Sequence, residues 1–150
     1  MSRAYAEVCR KVTAAGDRQQ RMRAVVDALW DELRDKGVSW VGFYVYQSGE
    51  ELILGPRRDK PACSPIGLHG ACGQVFTTGR SLIVRDVAEL GESYIACDPR
   101  DRSEVVVPLF DDDGKCWGVL DLDSYDIGAF DERDVEGLTE VLGAAGLTSR

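Results

Sequence analysis

Apolar residues along this chain recur first with the period of a helix and then with that of a strand. Residues 17 to 36, DRQQRMRAVVDALWDELRDK, carry Met22, Val25, Val26, Leu29, Trp30 and Leu33 at the spacing of one helix face, and Gly37 stands where that helix would stop. A shorter helix over about Arg3 to Ala14, ending at Gly16, precedes it. From Val38 the period falls to two: in VSWVGFYVYQ, Trp40, Gly42, Tyr44 and Tyr46 alternate with Val41, Phe43 and Val45. A Ser48-Gly49-Glu50 turn then leads into ELILG and completes a hairpin. Residues 56 to 102 are glycine-rich and irregular, with a short helix over Gly73 to Thr78 and a strand at SLIV. A second hairpin follows as EVVVPLF, DDDGK and CWGVLDLDS; Asp113 and Gly114 suit a tight turn, and Pro108 marks an edge or a bulge. DERDVEGLTEVLGAAG reads as an amphipathic helix with Asp131 at its N-cap.

Helices at both ends around antiparallel strands predict an α+β fold in one domain over residues 1–150. The N-terminal helices occupy 1–37, the sheet and its loops 38–124, and the C-terminal helix 130–145. A content of 44% hydrophobic and 29% charged residues fits a folded globular chain and is too apolar for a disordered one. The formal charge of −8 leaves no basic surface for nucleic acid. No apolar run approaches membrane-spanning length, and MSRAYAEVCRK has charges where a signal peptide needs its apolar centre. The expectation is a cytoplasmic protein with no membrane and no nucleic-acid partner.

The second hairpin gathers carboxylates. Period two places Trp117, Val119, Asp121 and Asp123 on one face and Gly118, Leu120 and Leu122 on the other, so the two aspartates point the same way, about 7 Å apart. A four-residue loop over 111–114 sets Glu104 opposite Asp121; a two-residue loop over 113–114 sets it opposite Asp123. Either register adds a third acid, unless a bulge at Pro108 intervenes. Like charges placed together need solvent, a cation or a shared proton. The trio is therefore read against a solvated sheet face as a receptor for a metal ion or an ammonium group, or as a proton donor.

Five cysteines, an odd number without an export signal, argue against a static disulfide framework. Cys9 and Cys116 fall in a helix and a strand and read as packing residues, Cys116 facing away from the acids. Cys63, Cys72 and Cys97 lie in the irregular middle. A zinc site made from these three with His69, the sole histidine, would lack paired CxxC knuckles. Redox chemistry fits better: Cys97 has Arg100 and Arg102 close by in the chain, an electropositive setting that favours a thiolate.

The series WVGFY (40–44), LGP (54–56), KPAC (60–63), GACG (70–73), IACD (95–98), RSEVVVPLF (102–110) and GVLDLDS (118–124) closely resembles the free methionine-R-sulfoxide reductases, enzymes built on a GAF domain. The likeness runs from about residue 38 to 135. It implies reduction of free methionine (R)-sulfoxide, with Cys97 as the nucleophile that becomes a sulfenic acid, Cys63 as the resolving thiol and thioredoxin as reductant. Cys72 matches the family's third cysteine, as resolving, relay or alternative nucleophile. Glu104, Asp121 and Asp123 match the acids that hold the substrate's ammonium group, and Trp40 and Tyr44 the aromatics around its methyl end. The resemblance further implies a homodimer, and no cofactor and no metal. Against it stand a sensory GAF module that binds a small ligand without turnover and a carboxylate metal-binding protein. Three departures are visible: CSPIGLHGAC is one residue short, His69 stands where arginine is common, and Tyr94 replaces a frequent histidine.

Overall fold

The computed structural model describes residues 3–93 and 97–149; Tyr94 lies outside them. A six-stranded antiparallel sheet has the order β3-β2-β1-β6-β5-β4, with β1 at Trp40–Tyr46, β2 at Glu51–Arg58, β3 at Ile66–Gly67, β4 at Leu82–Val84, β5 at Ser103–Phe110 and β6 at Cys116–Ser124. Helices α1 (Tyr5–Lys11), α2 (Arg18–Leu33) and α4 (Glu132–Ala144) cover one face of the sheet, and α3 (Ala71–Thr78) lies on the other. No helix of the described residues is long and apolar enough to cross a membrane.

The period-two residues of each strand divide between these two layers. Val41 and Phe43 of β1, Val105, Val107 and Leu109 of β5, and Leu120 and Leu122 of β6 join Leu29, Leu33, Leu138 and Leu142 in the main core. Burying each such side chain contributes about 1.5–3 kcal/mol. Trp40 and Tyr44 of β1, Val106 of β5 and Val119 of β6 turn instead toward Ala71, Cys72 and Val75 of α3. The α3 side is therefore a thin layer over the sheet, where these central strands meet a short, loop-flanked helix.

The α4 N-cap falls on Asp131 as expected, whereas α2 ends at Leu33, four residues before the expected stop at Gly37. Asp131 accepts the Arg133 N–H at 2.9 Å, while Asp134 accepts the Asp131 N–H at 2.9 Å. At the start of α2, Asp17 accepts the Gln20 N–H at 2.8 Å and Gln20 Oε1 accepts the Asp17 N–H at 3.0 Å. Helix α1 stops at Lys11, short of the expected Ala14, because β-branched Val12 turns extended and Thr13 Oγ1 accepts the Ala15 N–H to form a turn. Helix α3 begins at Ala71, two residues before the expected start. β2 runs on to Arg58, and the short β3 and a 3-10 segment over Val87–Ser93 add to what periodicity indicated.

The second hairpin departs most from expectation. Its connection is neither a two- nor a four-residue loop. Asp111 N–H bonds Lys115 O at 2.9 Å around residues 112–114, with Gly114 at φ +80° and the Asp111 carboxylate accepting from Asp113 N and Lys115 N. A bulge follows, since Leu109 pairs Gly118 but Phe110 pairs Cys116. Trp117 is the extra residue, and the break in phase carries it to the helix face. There its indole lies under the Arg18 guanidinium, 3.9 Å away, and donates to Leu147 O at 3.2 Å. Trp117 thus does not share the face of Asp121 and Asp123. Pro108 sits one residue before this irregularity and beyond β4, which pairs only with Glu104 to Val106.

Candidate active site

Pairing across four strands lines up the acids. Trp40 of β1 stands opposite Asp123 of β6, Asp123 opposite Glu104 of β5, and Glu104 opposite Val84 of β4. In the next row on the same face, Gly42 pairs Asp121 and Asp121 pairs Val106. Glu104 is therefore opposite Asp123 and diagonal to Asp121, within hydrogen-bonding reach of both. Cys72, in the first turn of α3, comes down over them: its Sγ and carboxylate oxygens of Glu104 and Asp121 all lie within 4.8 Å of one another.

Burial governs the charge of this group. Glu104 and Asp121 are 7% and 5% exposed, and Asp123 is half-buried. No lysine or arginine pairs with any of the three among the described residues. Burial, then the neighbouring carboxylates, holds Asp121 and Asp123 well above the usual carboxylate range; burial raises Glu104 as well, offset in part by its hydrogen bonds to the two aspartates. Burial and the same acids also push the Cys72 thiol up. Asp121 Oδ1 is buried with no hydrogen-bond partner. Buried beside other carboxylates and with no paired cationic side chain, such an atom calls for a cation or a proton.

Aromatic residues wall the cavity and hold the loop above it. A Cβ on Gly42 would fall inside the Trp40 indole, so the missing side chain lets that ring lie flat along β1 toward Asp121. Tyr44 stands beside it at 6.2 Å between ring centroids. Trp40 Nε1 donates to Lys60 O and Tyr44 OH to Cys63 O, each at 2.8 Å. The Lys60–Cys63 loop is thereby pinned to β1 from below.

Cys63 is joined to Cys97 by a disulfide, with Cα atoms 5.5 Å apart, at the exposed mouth of the cavity. The inner space, about 50 Å³, runs from this bridge to the acids and opens into an outer cleft of about 240 Å³. A polar clasp crosses the mouth. Tyr125 OH donates to Asp98 Oδ2 at 3.0 Å and accepts from Lys60 Nζ at 2.5 Å, while Arg100 binds Asp98 Oδ1 and Oδ2 at 3.1 Å each. Arg100, then its other hydrogen-bonding partners, holds the Asp98 carboxyl well below the usual range. Arg102, expected near Cys97, turns instead toward Asp86 at 3.9 Å.

The chain matches the GAF domain family over residues 15–148. It is 35% identical to the free methionine-R-sulfoxide reductase of Escherichia coli over 116 residues, 76% of this chain and 67% of that one. The chain belongs to the GAF-domain family of free methionine-R-sulfoxide reductases. It is 44% identical to the free methionine-R-sulfoxide reductase of Saccharomyces cerevisiae over 107 residues, 69% of this chain and 59% of that relative, so less than two thirds of the yeast protein is spanned. The X-ray structure of the free methionine-R-sulfoxide reductase from Neisseria meningitidis in complex with its substrate superposes with a TM-score of 0.83 at 34% identity, covering 94% of this chain and 83% of that one.

Within this GAF domain, the residues singled out from the sequence converge: Trp40, Tyr44, Cys72, Cys97, Glu104, Asp121 and Asp123 all line the inner cavity, and Cys63 closes it through the disulfide. The four-ligand set of three cysteines and His69 does not form, because two of those thiols are spent on each other and His69 is exposed. Cys9 packs against the helix core, as a structural cysteine should. Cys116 lies on the α3 side after all, in a groove with Tyr46 and Phe76, because the bulge at Trp117 resets the alternation.

Asp101 is the residue that pattern reading passes over. It is 8% exposed, lines the cavity beside Cys97, and has its pKa pushed up to about 7 by burial first and then by Asp98 and Glu104. The available signal was slight, an aspartate three places before Glu104 in a charged loop. Tyr125 and Gly42 were likewise invisible as site residues, since their parts depend on cross-chain contacts.

Proposed function

We propose that the protein reduces free methionine (R)-sulfoxide to methionine, with Cys97 as nucleophile, Cys63 as resolving thiol and thioredoxin as the final reductant. The observation that carries this reading is the Cys63–Cys97 disulfide at the mouth of a cavity floored by Glu104, Asp121 and Asp123. Substrate enters with its ammonium group toward the acids, which give up their shared proton to hold it, and its methyl end against Trp40 and Tyr44. The Cys97 thiolate attacks the sulfoxide sulfur. With one proton taken up, oxygen passes to Cys97, which becomes a sulfenic acid, while the sulfoxide is reduced by two electrons and leaves as methionine. The protonated acids that line the cavity are a source of that proton.

Cys63 then attacks the sulfenic sulfur; a proton taken up carries the hydroxyl off as water and the disulfide forms. A dithiol such as thioredoxin reopens it by exchange, taking the two electrons' worth of oxidation onto itself. Cys72 is ill placed to resolve, because a buried thiol kept protonated by neighbouring acids is a poor nucleophile. The reducing supply that such a cycle consumes is a property of the cytoplasm.

The test is to incubate the protein with free methionine (R)-sulfoxide and a thioredoxin system and to measure methionine. Turnover in the wild type, none in Cys97→Ser, and one equivalent of methionine without recycling in Cys63→Ser are the expected results. Binding of the sulfoxide without any methionine formed would return the chain to the class of ligand-binding modules.

A further inference from the structure

The redox cycle leaves one buried nucleophile unused. Cys72 is 5% exposed and remains a free thiol while Cys63 and Cys97 are joined. Its sulfur stands over two carboxylates from different strands, and the arrangement is fixed by α3 packing on β5 and β6 rather than by a flexible loop. We infer that Cys72 Sγ, Glu104 and Asp121 form a zinc-binding site, at which Zn²⁺ competes with the ammonium group of an amino-acid substrate.

Donor chemistry selects the ion. A thiolate with two carboxylates is a zinc donor set, whereas magnesium and calcium take oxygen ligands alone. The second, independent sign of a ligand is Asp121 Oδ1, which is buried and lacks any hydrogen-bond partner. Tetrahedral zinc, with Zn–S about 2.3 Å and Zn–O about 2.0 Å, needs its ligand atoms roughly 3.3–3.5 Å apart. The donor atoms here all lie within 4.8 Å of each other, so side-chain rotation without backbone movement closes the set. Half-buried Asp123, hydrogen-bonded to Glu104, borders the fourth position, where water or its own carboxylate completes the shell. Once ionised, the three ligands have no lysine or arginine paired with them among the described residues and attract a divalent ion. Thiolate and carboxylate ligands bind zinc in their deprotonated forms, so binding is expected to release protons.

Binding does not depend on the reductase reading; the competition does. The oxidised protein separates the two, because with the disulfide intact Cys72 is the free thiol lining the cavity. Titration of that form with Co²⁺ is expected to give one bound equivalent with a thiolate-to-cobalt charge-transfer band, proton release, and displacement by Zn²⁺ but not by Mg²⁺. Cys72→Ala abolishes the band and weakens Zn²⁺ binding by roughly 100-fold or more, while Cys9→Ala and Cys116→Ala leave both intact. Should Cys72→Ala fail to fold, Cys72→Ser removes the thiolate at nearly constant volume and gives the same readout. Absence of the band in the folded wild type, its survival in the Cys72 variants, or equal displacement by Mg²⁺ would overturn the site. In the reduced protein, Zn²⁺ should raise KM with kcat unchanged. A cobalt band with no effect on KM overturns the competition, and a protein that never turns over leaves the cobalt spectrum to decide the site alone.

Discussion

Single carboxyl groups in this cavity differ in when they ionise, and that difference is measurable. Asp101 titrates near neutrality because it is buried beside Asp98 and Glu104, so it is neutral below a pH of about 7 and charged above it. An added negative charge at the cavity favours an ammonium ligand, so KM for an amino-acid substrate should fall as pH rises through that value. In Asp101→Asn this inflection should vanish from the KM profile while Cys97-dependent chemistry persists. Asp121→Asn, which removes a charge from the floor itself, should raise KM at every pH, and unchanged KM would return the acids to mere sheet surface. Tyr44 works on the other side of the cavity. Tyr44→Phe deletes the donor to Cys63 O; it should cost about 0.5–1.5 kcal/mol in urea unfolding. In a single turnover it should slow disappearance of free thiols without slowing release of methionine.

At the level of the elements, the strand that matters most is β1, whose missing side chain at Gly42 makes room for the Trp40 indole. Gly42→Ala should cost about 1–3 kcal/mol by overpacking and should weaken substrate binding as the ring lifts. Gly143→Ala is the contrasting case, with nothing within 4 Å of the added methyl in α4; helix propensity alone should make it stabilising by up to about 1 kcal/mol. Urea denaturation of the two variants beside the wild type checks the pair. Elements also show what a sequence can carry. The stripe in α2 follows from burial on one face and the alternation in β1 from its two faces meeting different layers, and both stand in the structure as read. The acids could be brought together because either hairpin register unites them. Which register holds could not be read, since a three-residue loop and a bulge at Trp117 jointly decide it, and a bulge leaves no periodic trace. Asp101 escaped for a related reason: in an irregular loop, burial is set by what folds over the residue and not by its neighbours in sequence.

On the scale of the whole molecule, the sheet keeps stability and chemistry on opposite faces. The helix side holds the large core, and the α3 side holds a knot of acids that opposes folding once they must ionise. Asp101, Asp121 and Asp123 have folded-state pKa values above those of an unfolded chain, so the native state keeps protons that the unfolded state releases. Stability of the ligand-free protein should therefore decline as pH rises from the ordinary carboxylate range, about 4, through neutrality, by about 1.4 kcal/mol per pH unit for each extra proton held. Asp98, held ionised by Arg100, contributes the opposite slope only in stronger acid. Urea midpoints across that range should show the decline, and Asp121→Asn should flatten it. The row from Trp40 through Asp123 and Glu104 to Val84 draws a residue from each of four strands, and the β1–β6 pairing within it joins segments far apart in the chain. Contacts of that kind form late, after the entropy of closing long loops has been overcome. During refolding, ligand binding should then emerge with the final cooperative phase, which makes the acids a clock for the last step of assembly.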